Sequence, residues 1–320
     1  MSILIQKAGI LTTVQDLGRH GYRRFGINPN GAMDRHALRV ANILLGNDEN
    51  TAGLEIHYPA PEIVFEEPAF FALAGADFSA ALDGRPVENW HVGFAPGNSI
   101  LTFRKKISGN RLYLAVRGGF RIDRWLGSAS TNLRAGAGGF EGRRLAAGDR
   151  LFFNRTTMDG KKDPGYRLSS SLIPFYSSFP TVRIVAGPEF EWLTEESRID
   201  FTEQNYAISL NSDRMGFRLE GPPLTARERT QMVSSAVDFG TVQMLPDGRL
   251  IVLMADHQTT GGYPRIGQIA SVDRPLVAQL GGNDKIAFHP ITVAAAEDLA
   301  VRRRIDLNRL RSAVGFRFPA

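Results

Sequence analysis

The chain has 320 residues, 43% hydrophobic and 22% charged, with a net charge of +5 at neutral pH and no cysteine. Such a composition belongs to an ordinary globular protein of roughly two domains, and it excludes disulfides, thiolate metal sites and a thiol nucleophile. No stretch approaches the ~20 consecutive apolar residues that span a bilayer. Met1–Lys7 lacks the basic start and apolar core of a signal peptide, so a cytoplasmic location is the default expectation and no membrane role is expected.

In chain order, Asp34–Leu45 reads as a helix: Ala37, Leu38, Ala41, Leu44 and Leu45 fall on one face, and Gly46 supplies the stop. Strands are predicted at Glu62–Phe71, Asp77–Leu82, Ser99–Phe103, Arg111–Val116 and Arg150–Phe153, each short, β-branched or aromatic, and bounded by turn residues. Asn154–Thr181 is polar and aperiodic, which places a domain boundary there and gives domains 1–165 and 180–320. Further strands are expected at Thr181–Ala186, Tyr206–Leu210, Gly240–Met244, Leu250–Met254 and Lys285–His289. Thr292–Val314 reads as a final helix. Arg302, Arg303, Arg304, Arg309 and Arg311, with Arg317 beyond it, lack interleaved aromatics; they read as a solvated face and not as a nucleic-acid surface. The fold class is therefore mainly β with a few helices, of barrel or sandwich type.

The two halves echo each other. Thr13-Val14-Gln15 recurs as Thr241-Val242-Gln243, and the Gly turn and strand of Arg143–Phe153 resemble Ala278–Phe288. Two similar β domains, with a ligand site between them, would explain the echo.

Ala255–Ile266 carries the most chemistry. It follows the apolar strand and crowds Asp256, Gln258, Thr260, Gly261, Gly262, Tyr263 and Arg265 at a strand end, where a rigid scaffold presents functional groups. The same residues also suit a sharp corner, with Asp256 and Thr259 holding the turn. Alternation along the chain sends Asp256 and His257 to opposite faces, so the two are not expected to share a site. The six histidines are scattered without ligand spacing, so no metal is expected. A phosphate-binding Gly-x-x-x-x-Gly-Lys-Ser/Thr loop, a Gly-x-Ser-x-Gly elbow and a biotinyl-lysine site are all missing.

Several longer motifs bear a resemblance. Thr12–Gly21 (Thr-Thr-Val-Gln-Asp-Leu-Gly-Arg-His-Gly), Gly31–Asp34, Ala41–Asn47, Thr131–Arg134, Gly138–Arg143, Ser212–Gly221 and Gly240–Gln243 together resemble the allophanate hydrolase subunit 2-like family. The matches run over nearly the whole chain. One departure is Gly281-Gly282-Asn283-Asp284, where the family usually shows Pro-Gly-Asp. The family includes the C subunit of ATP-dependent 5-oxoprolinase, half of the carboxyltransferase domain of urea carboxylase, and antagonists of a sporulation-kinase inhibitor. The resemblance implies two cyclophilin-like β-barrel domains packed side by side and an obligate B-like partner, with an A-like third component in the oxoprolinase.

The reaction it implies is ATP-driven opening of 5-oxo-L-proline to L-glutamate, with ATP bound by the assembled enzyme. The alternatives are transfer from carboxybiotin on a separate carrier to a urea-like acceptor, or a non-enzymatic regulator that binds a kinase inhibitor. A lactam resists attack because amide resonance is lost, so anion binders and an acid/base are needed. Arg214 and Arg265 suit carboxylate or phosphate, and Asp256 suits a general base or amide-orienting acceptor. Gln243 and Gln258 suit hydrogen bonds to the lactam or ureido group, and Tyr263 would cover or donate to it. The Gly261 and Gly262 N–H groups suit a developing oxyanion, and Gln15, Asp16 and Arg19 are expected to pin the first opening turn.

Overall fold

The computed structural model describes residues 1–154, 167–227 and 232–316. Residues 155–166 of the expected boundary segment, and Arg317, lie outside the described residues. The chain divides into two compact units. Unit 1 comprises Met1–Arg19, Asn30–Phe175 and Ile305–Ala320; unit 2 comprises His20–Pro29 and Tyr176–Arg304. Each unit therefore takes chain from more than one stretch, an exchange that a linear reading of composition does not show.

Unit 1 contains β1 (Ser2–Lys7), β2 (Thr12–Gln15), α1 (Arg35–Leu44), β3 (Gly53–Ile56), β4 (Glu62–Phe65), β5 (Ala69–Asp77), β6 (Ala80–Leu82), β7 (Arg85–Pro86), β8 (Val92–Ala95), β9 (Ser99–Phe103), β10 (Ser108–Val116) and β11 (Arg150–Phe152). They form a six-stranded sheet in the order β11-β1-β4-β9-β6-β7 and a five-stranded sheet in the order β2-β3-β10-β5-β8. The expected strand Glu62–Phe71 is two strands, because Glu66-Glu67-Pro68 interrupts it and proline cannot donate to a ladder.

Alternation sorts the residues of unit 1. Val14, Leu54, Leu114 and Leu73 lie side by side across β2, β3, β10 and β5 and are fully buried in the main core. Thr13, Glu55 and Tyr113 form the neighbouring row and point to the other face. That face is closed by α1, whose N-cap Asp34 accepts the Ala37 N–H at 2.9 Å and whose apolar side is buried. Leu38 reaches so close to β3 that a Cβ on Gly53 would sit 2.8 Å from its Cδ1. Under the start of α1 the Tyr113 hydroxyl donates to Glu55 at 2.6 Å and accepts the Asp34 N–H. Burial, reinforced by the Glu55 charge, pushes the Tyr113 phenol well above its ordinary range.

Unit 2 contains β12 (Thr181–Ala186), α2 (Glu195–Glu203), β13 (Tyr206–Ile208), β14 (Gly216–Glu220), β15 (Ser235–Ala236), β16 (Thr241–Met244), β17 (Leu250–Leu253), β18 (Thr260–Gly261), β19 (Arg265–Ile269), α3 (Arg274–Ala278) and β20 (Lys285–Pro290). Seven strands close a barrel in the order β12-β19-β16-β17-β14-β13-β20, while β15 and β18 pair separately as a short ribbon. Phe217, Val252 and Val242 lie opposite one another on the inner face and are buried. From α2, Phe201 stacks on Phe288 of β20 with ring centroids 4.9 Å apart. The last helix, α4 (Val293–Gly315), follows β20.

The mainly β expectation holds, and the closed barrel is in unit 2. In unit 1 the strands form two separate sheets instead of one continuous ring of pairing. No described helix is long and apolar enough to cross a membrane.

Candidate functional site

The two Thr-Val-Gln repeats fall on β2 and β16, a four-residue strand in each unit. In unit 2 the glutamine belongs to the outward row of the barrel: Arg218, Ile251 and Gln243 sit opposite one another across β14, β17 and β16. After a bulge, Gln243 is also opposite Arg265 of β19.

An outward-facing glutamine is ordinarily wet, yet Gln243 is 0% exposed. The segment Gln258–Tyr263 roofs it. Its Nε2 donates to the Tyr263 carbonyl at 3.0 Å, and a Cβ on Gly261 would lie 2.7 Å from that nitrogen, so only glycine lets the roof come this low. The carbonyl partner fixes which arm of the amide is the nitrogen, and the buried Oε1 is left with no hydrogen-bond partner. A buried acceptor without a donor is costly, and such atoms mark strain or a ligand position.

Gln243 lines a cavity of about 420 Å³ together with Arg218, Ile251, Gln258, Tyr263 and the β16–β17 turn residues Leu245, Asp247 and Arg249. Its size suits a small metabolite. Tyr263 is 41% exposed at the rim. Arg249 is paired with Asp247 at 2.5 Å, and this pairing holds the Asp247 carboxyl below its ordinary range. The Arg218 guanidinium has no ion pair or hydrogen bond to any described residue.

The remaining candidates secure the ends of the roof segment. Arg214 grips Asp256 through two bonds of 3.0 Å, and both side chains are largely buried. Arg265 grips Glu189 at 2.9 and 2.7 Å and donates to the Ala236 carbonyl. Burial pushes the Glu189 carboxyl up, but the hydrogen bonds from Arg265 outweigh it and leave the group below its ordinary range. The Arg265 guanidinium is correspondingly raised.

Thr260 and Gly261 pair with Ala236 and Ser235, and Asn28 donates to the Asp256 carbonyl at 2.9 Å. His257 is buried and turned toward Asp238, 3.7 Å away; it and Asp256 lie in the turn after β17, where strand alternation does not apply. A second cavity of about 280 Å³ touches Arg23, Asp238 and Arg265. Two larger cavities, of about 610 and 580 Å³, contain none of the candidate residues.

The structure thus brings Gln243, Gln258 and Tyr263 to one cavity, with Gly261 in its roof. It places Asp256–Arg214 and Arg265–Glu189 as the two clamps of that roof. Sequence reasoning missed Arg218 and Glu189. Strand alternation put Arg218 out of phase with Phe217 and Leu219, but only the β14–β17–β16 pairing shows that it shares a row with Gln243. Glu189 is 76 residues from its partner and carries no local signal.

The motif residues of unit 1 do different work. Asp16 is fully buried and accepts from the Gly18 and Ala129 N–H groups and from the Ser128 and Ser130 hydroxyls. Arg19, 1% exposed, donates to Asn30 and to the Ser130 carbonyl. These residues pin the opening turn to the 128–131 segment. Among the described residues, no group of three or more His, Asp or Glu is placed to hold a metal ion.

Comparison with known proteins agrees with this architecture. The chain is 38% identical over 314 residues to the C subunit of 5-oxoprolinase from Escherichia coli K12, covering 98% of this chain and 97% of that protein. It is 37% identical over 303 residues to the corresponding C subunit of 5-oxoprolinase from Haemophilus influenzae, covering 94% and 95%. The K. lactis urea amidolyase structure superposes with a TM-score of 0.90 at 26% identity, over 97% of this chain and 20% of that one. The family profile described as carboxyltransferase domain, subdomain A and B, matches residues 25–290. By this profile and by its likeness over almost the whole chain to both C subunits, the chain belongs to the carboxyltransferase domain A and B family.

Proposed function

We propose that this chain is one component of an ATP-dependent 5-oxoprolinase that opens 5-oxo-L-proline to L-glutamate together with A-like and B-like partners. The observation that carries the reading is the unpartnered Oε1 of Gln243, buried at the wall of a small cavity beneath Tyr263. A secondary amide ring supplies the N–H donor this acceptor lacks, and Ile251 and Leu245 offer apolar surface to its methylenes. Matches to two 5-oxoprolinase C subunits over almost their whole length support the assignment.

In this reading Gln243, Gln258 and Tyr263 contact the substrate, and the Gly261 and Gly262 N–H groups face the oxygen on which charge develops. Asp256, Arg265 and Arg214 act through the roof: the two bidentate clamps hold the loop at its productive height, because a shift of about 1 Å costs heavily in rate. Thr260 contributes through its pairing with Ala236. ATP activates the amide oxygen as a co-substrate of the assembled enzyme.

The likeness to urea amidolyase favours one second reading, a carboxyltransferase component that takes carboxybiotin from a separate carrier to a urea-type acceptor. The test is ATP-dependent glutamate release from 5-oxo-L-proline by the chain alone and mixed with its A-like and B-like partners. Activity is expected only in the mixture, and Gly261→Ala is expected to lower kcat/KM at least about tenfold, because its Cβ displaces the Gln243 amide. Absence of glutamate from a verified assembly sinks the oxoprolinase reading and directs the assay to carboxybiotin.

A further inference from the structure

We propose that Arg218 is the carboxylate anchor of the Gln243 cavity, and that Arg218 and the Gln243 Oε1 together select an acidic cyclic amide over a neutral urea-type acceptor. The inference rests on the reading of this cavity as the substrate site and adds to it the residue that decides which branch of amide chemistry the cavity serves.

Four observations converge on Arg218. It lies in the same outward row as Gln243, separated from it only by Ile251, so all three side chains leave the barrel on one face. Two strand spacings put the Arg218 and Gln243 backbones about 10 Å apart. The glutamine and arginine side chains reach across most of that distance from either side, so the remaining gap suits a five-membered ring that carries its N–H and its carboxylate on adjacent atoms.

All three residues line one cavity, with Ile251 as its apolar floor. Finally, the charges around the site are unequal in what they have left to bind. Arg249 is engaged by Asp247, Arg214 by Asp256 and Arg265 by Glu189, whereas the guanidinium of Arg218 meets no described acceptor. A guanidinium fork with free donors facing a small cavity matches a carboxylate in bidentate fashion. Urea satisfies the Gln243 acceptor equally well but gives Arg218 nothing to bind.

The experiment uses the assembled complex carrying wild-type chain, Arg218→Ala or Arg218→Lys. Arg218 is exposed on β14, so neither change disturbs the core. With Arg218→Ala, the KM for 5-oxo-L-proline rises at least about tenfold while kcat stays within about twofold and the KM for ATP does not move; Arg218→Lys is intermediate. The neutral lactam 2-pyrrolidinone, used as a competitive inhibitor, binds wild type and variant alike. An unchanged KM for 5-oxo-L-proline overturns the inference while leaving the oxoprolinase reading intact. So does a parallel loss of 2-pyrrolidinone inhibition, or a rise confined to the KM for ATP, which would make Arg218 a phosphate binder.

If the wild-type complex releases no glutamate, the oxoprolinase reading fails and direct calorimetric binding to the chain decides the inference. Preference for 5-oxo-L-proline over 2-pyrrolidinone, abolished by Arg218→Ala, sustains it. Equal affinity, or no binding of either compound to the wild-type chain, overturns it.

Discussion

The outward faces of β2 and β16 start from the same tripeptide and end in opposite roles. In unit 1, Gln15 lies opposite Gly53, and Leu38 of α1 fills the space that a side chain at Gly53 would take. The face is sealed: Gln15 donates to Thr13 and to the Thr131 carbonyl, Tyr113 donates to Glu55, and the buried Gln15 Oε1, without a partner like that of Gln243, faces no cavity among those described. In unit 2, Gln243 lies opposite Ile251, which stays half-buried, and a cavity stands where a helix would lie. Burial of Gln243 comes from a glycine-bearing loop held down by two ion pairs, which leaves room for a ligand. One strand type therefore serves as a structural joint under a helix and as a cavity wall under a loop. What separates them is the residue opposite the glutamine and the element that covers it.

The largest expected effect tests the sealed face. Leu38→Ala removes a fully buried side chain from under α1 and should cost about 3 kcal/mol of stability, measured by denaturant unfolding. Substrate KM should be unchanged in the fraction that remains folded. A change in KM without a loss of stability would break the assignment of this face to structure.

Next is the clamp. Arg265→Ala leaves Glu189 buried without its partner and should cost on the order of 2 kcal/mol at pH 7, less than a fully buried pair because Arg265 is partly solvated. The sign with pH follows from linkage. The Glu189 carboxyl is depressed in the folded protein, so its pairing stabilises above the ordinary carboxylate pKa of about 4 and is lost as pH falls through the lower folded value. The stability gap between wild type and variant should therefore narrow as pH is lowered below about 4. A gap that stays constant would mean that Glu189 is not what Arg265 holds.

The smallest effect in energy is the most discriminating. Gln15→Leu and Gln243→Leu are the same change in the same tripeptide, and each should cost about 1 kcal/mol for the hydrogen bonds removed. Only Gln243→Leu should raise the KM for 5-oxo-L-proline in the assembled complex. Equal effects of both on KM would erase the distinction between the two faces.

Much of the fold was legible in the order of residues alone. The apolar face of α1, and strands such as Ser99–Phe103 and Thr181–Ala186, follow from local pattern and match the observed elements. The Asp256–Arg265 segment was legible as a candidate because glycines, a tyrosine and charges crowd a strand end. Within it, the roles were not legible. Asp256 and Arg265 look like free functional groups in sequence, but they are held by Arg214 and Glu189, 42 and 76 residues away. The exchange of His20–Pro29 into unit 2 also escaped the reading, since nothing in that stretch differs in composition from its neighbours.

Sequence by itself determined the class of many elements, the repeated Thr-Val-Gln tripeptide, the family motifs and the candidate segment. All of these depend on short-range periodicity, on backbone limits at glycine and proline, or on runs of residues that can be compared directly. Tertiary structure alone decided which charges are spent and which are left to bind. An ion pair or a cross-strand row depends on register between strands far apart in the chain, and one residue of slip sends every side chain to the other face. For that reason Gln243 could be named from the sequence, whereas Arg218, two strands away in the same row, became visible only when β14, β17 and β16 were paired.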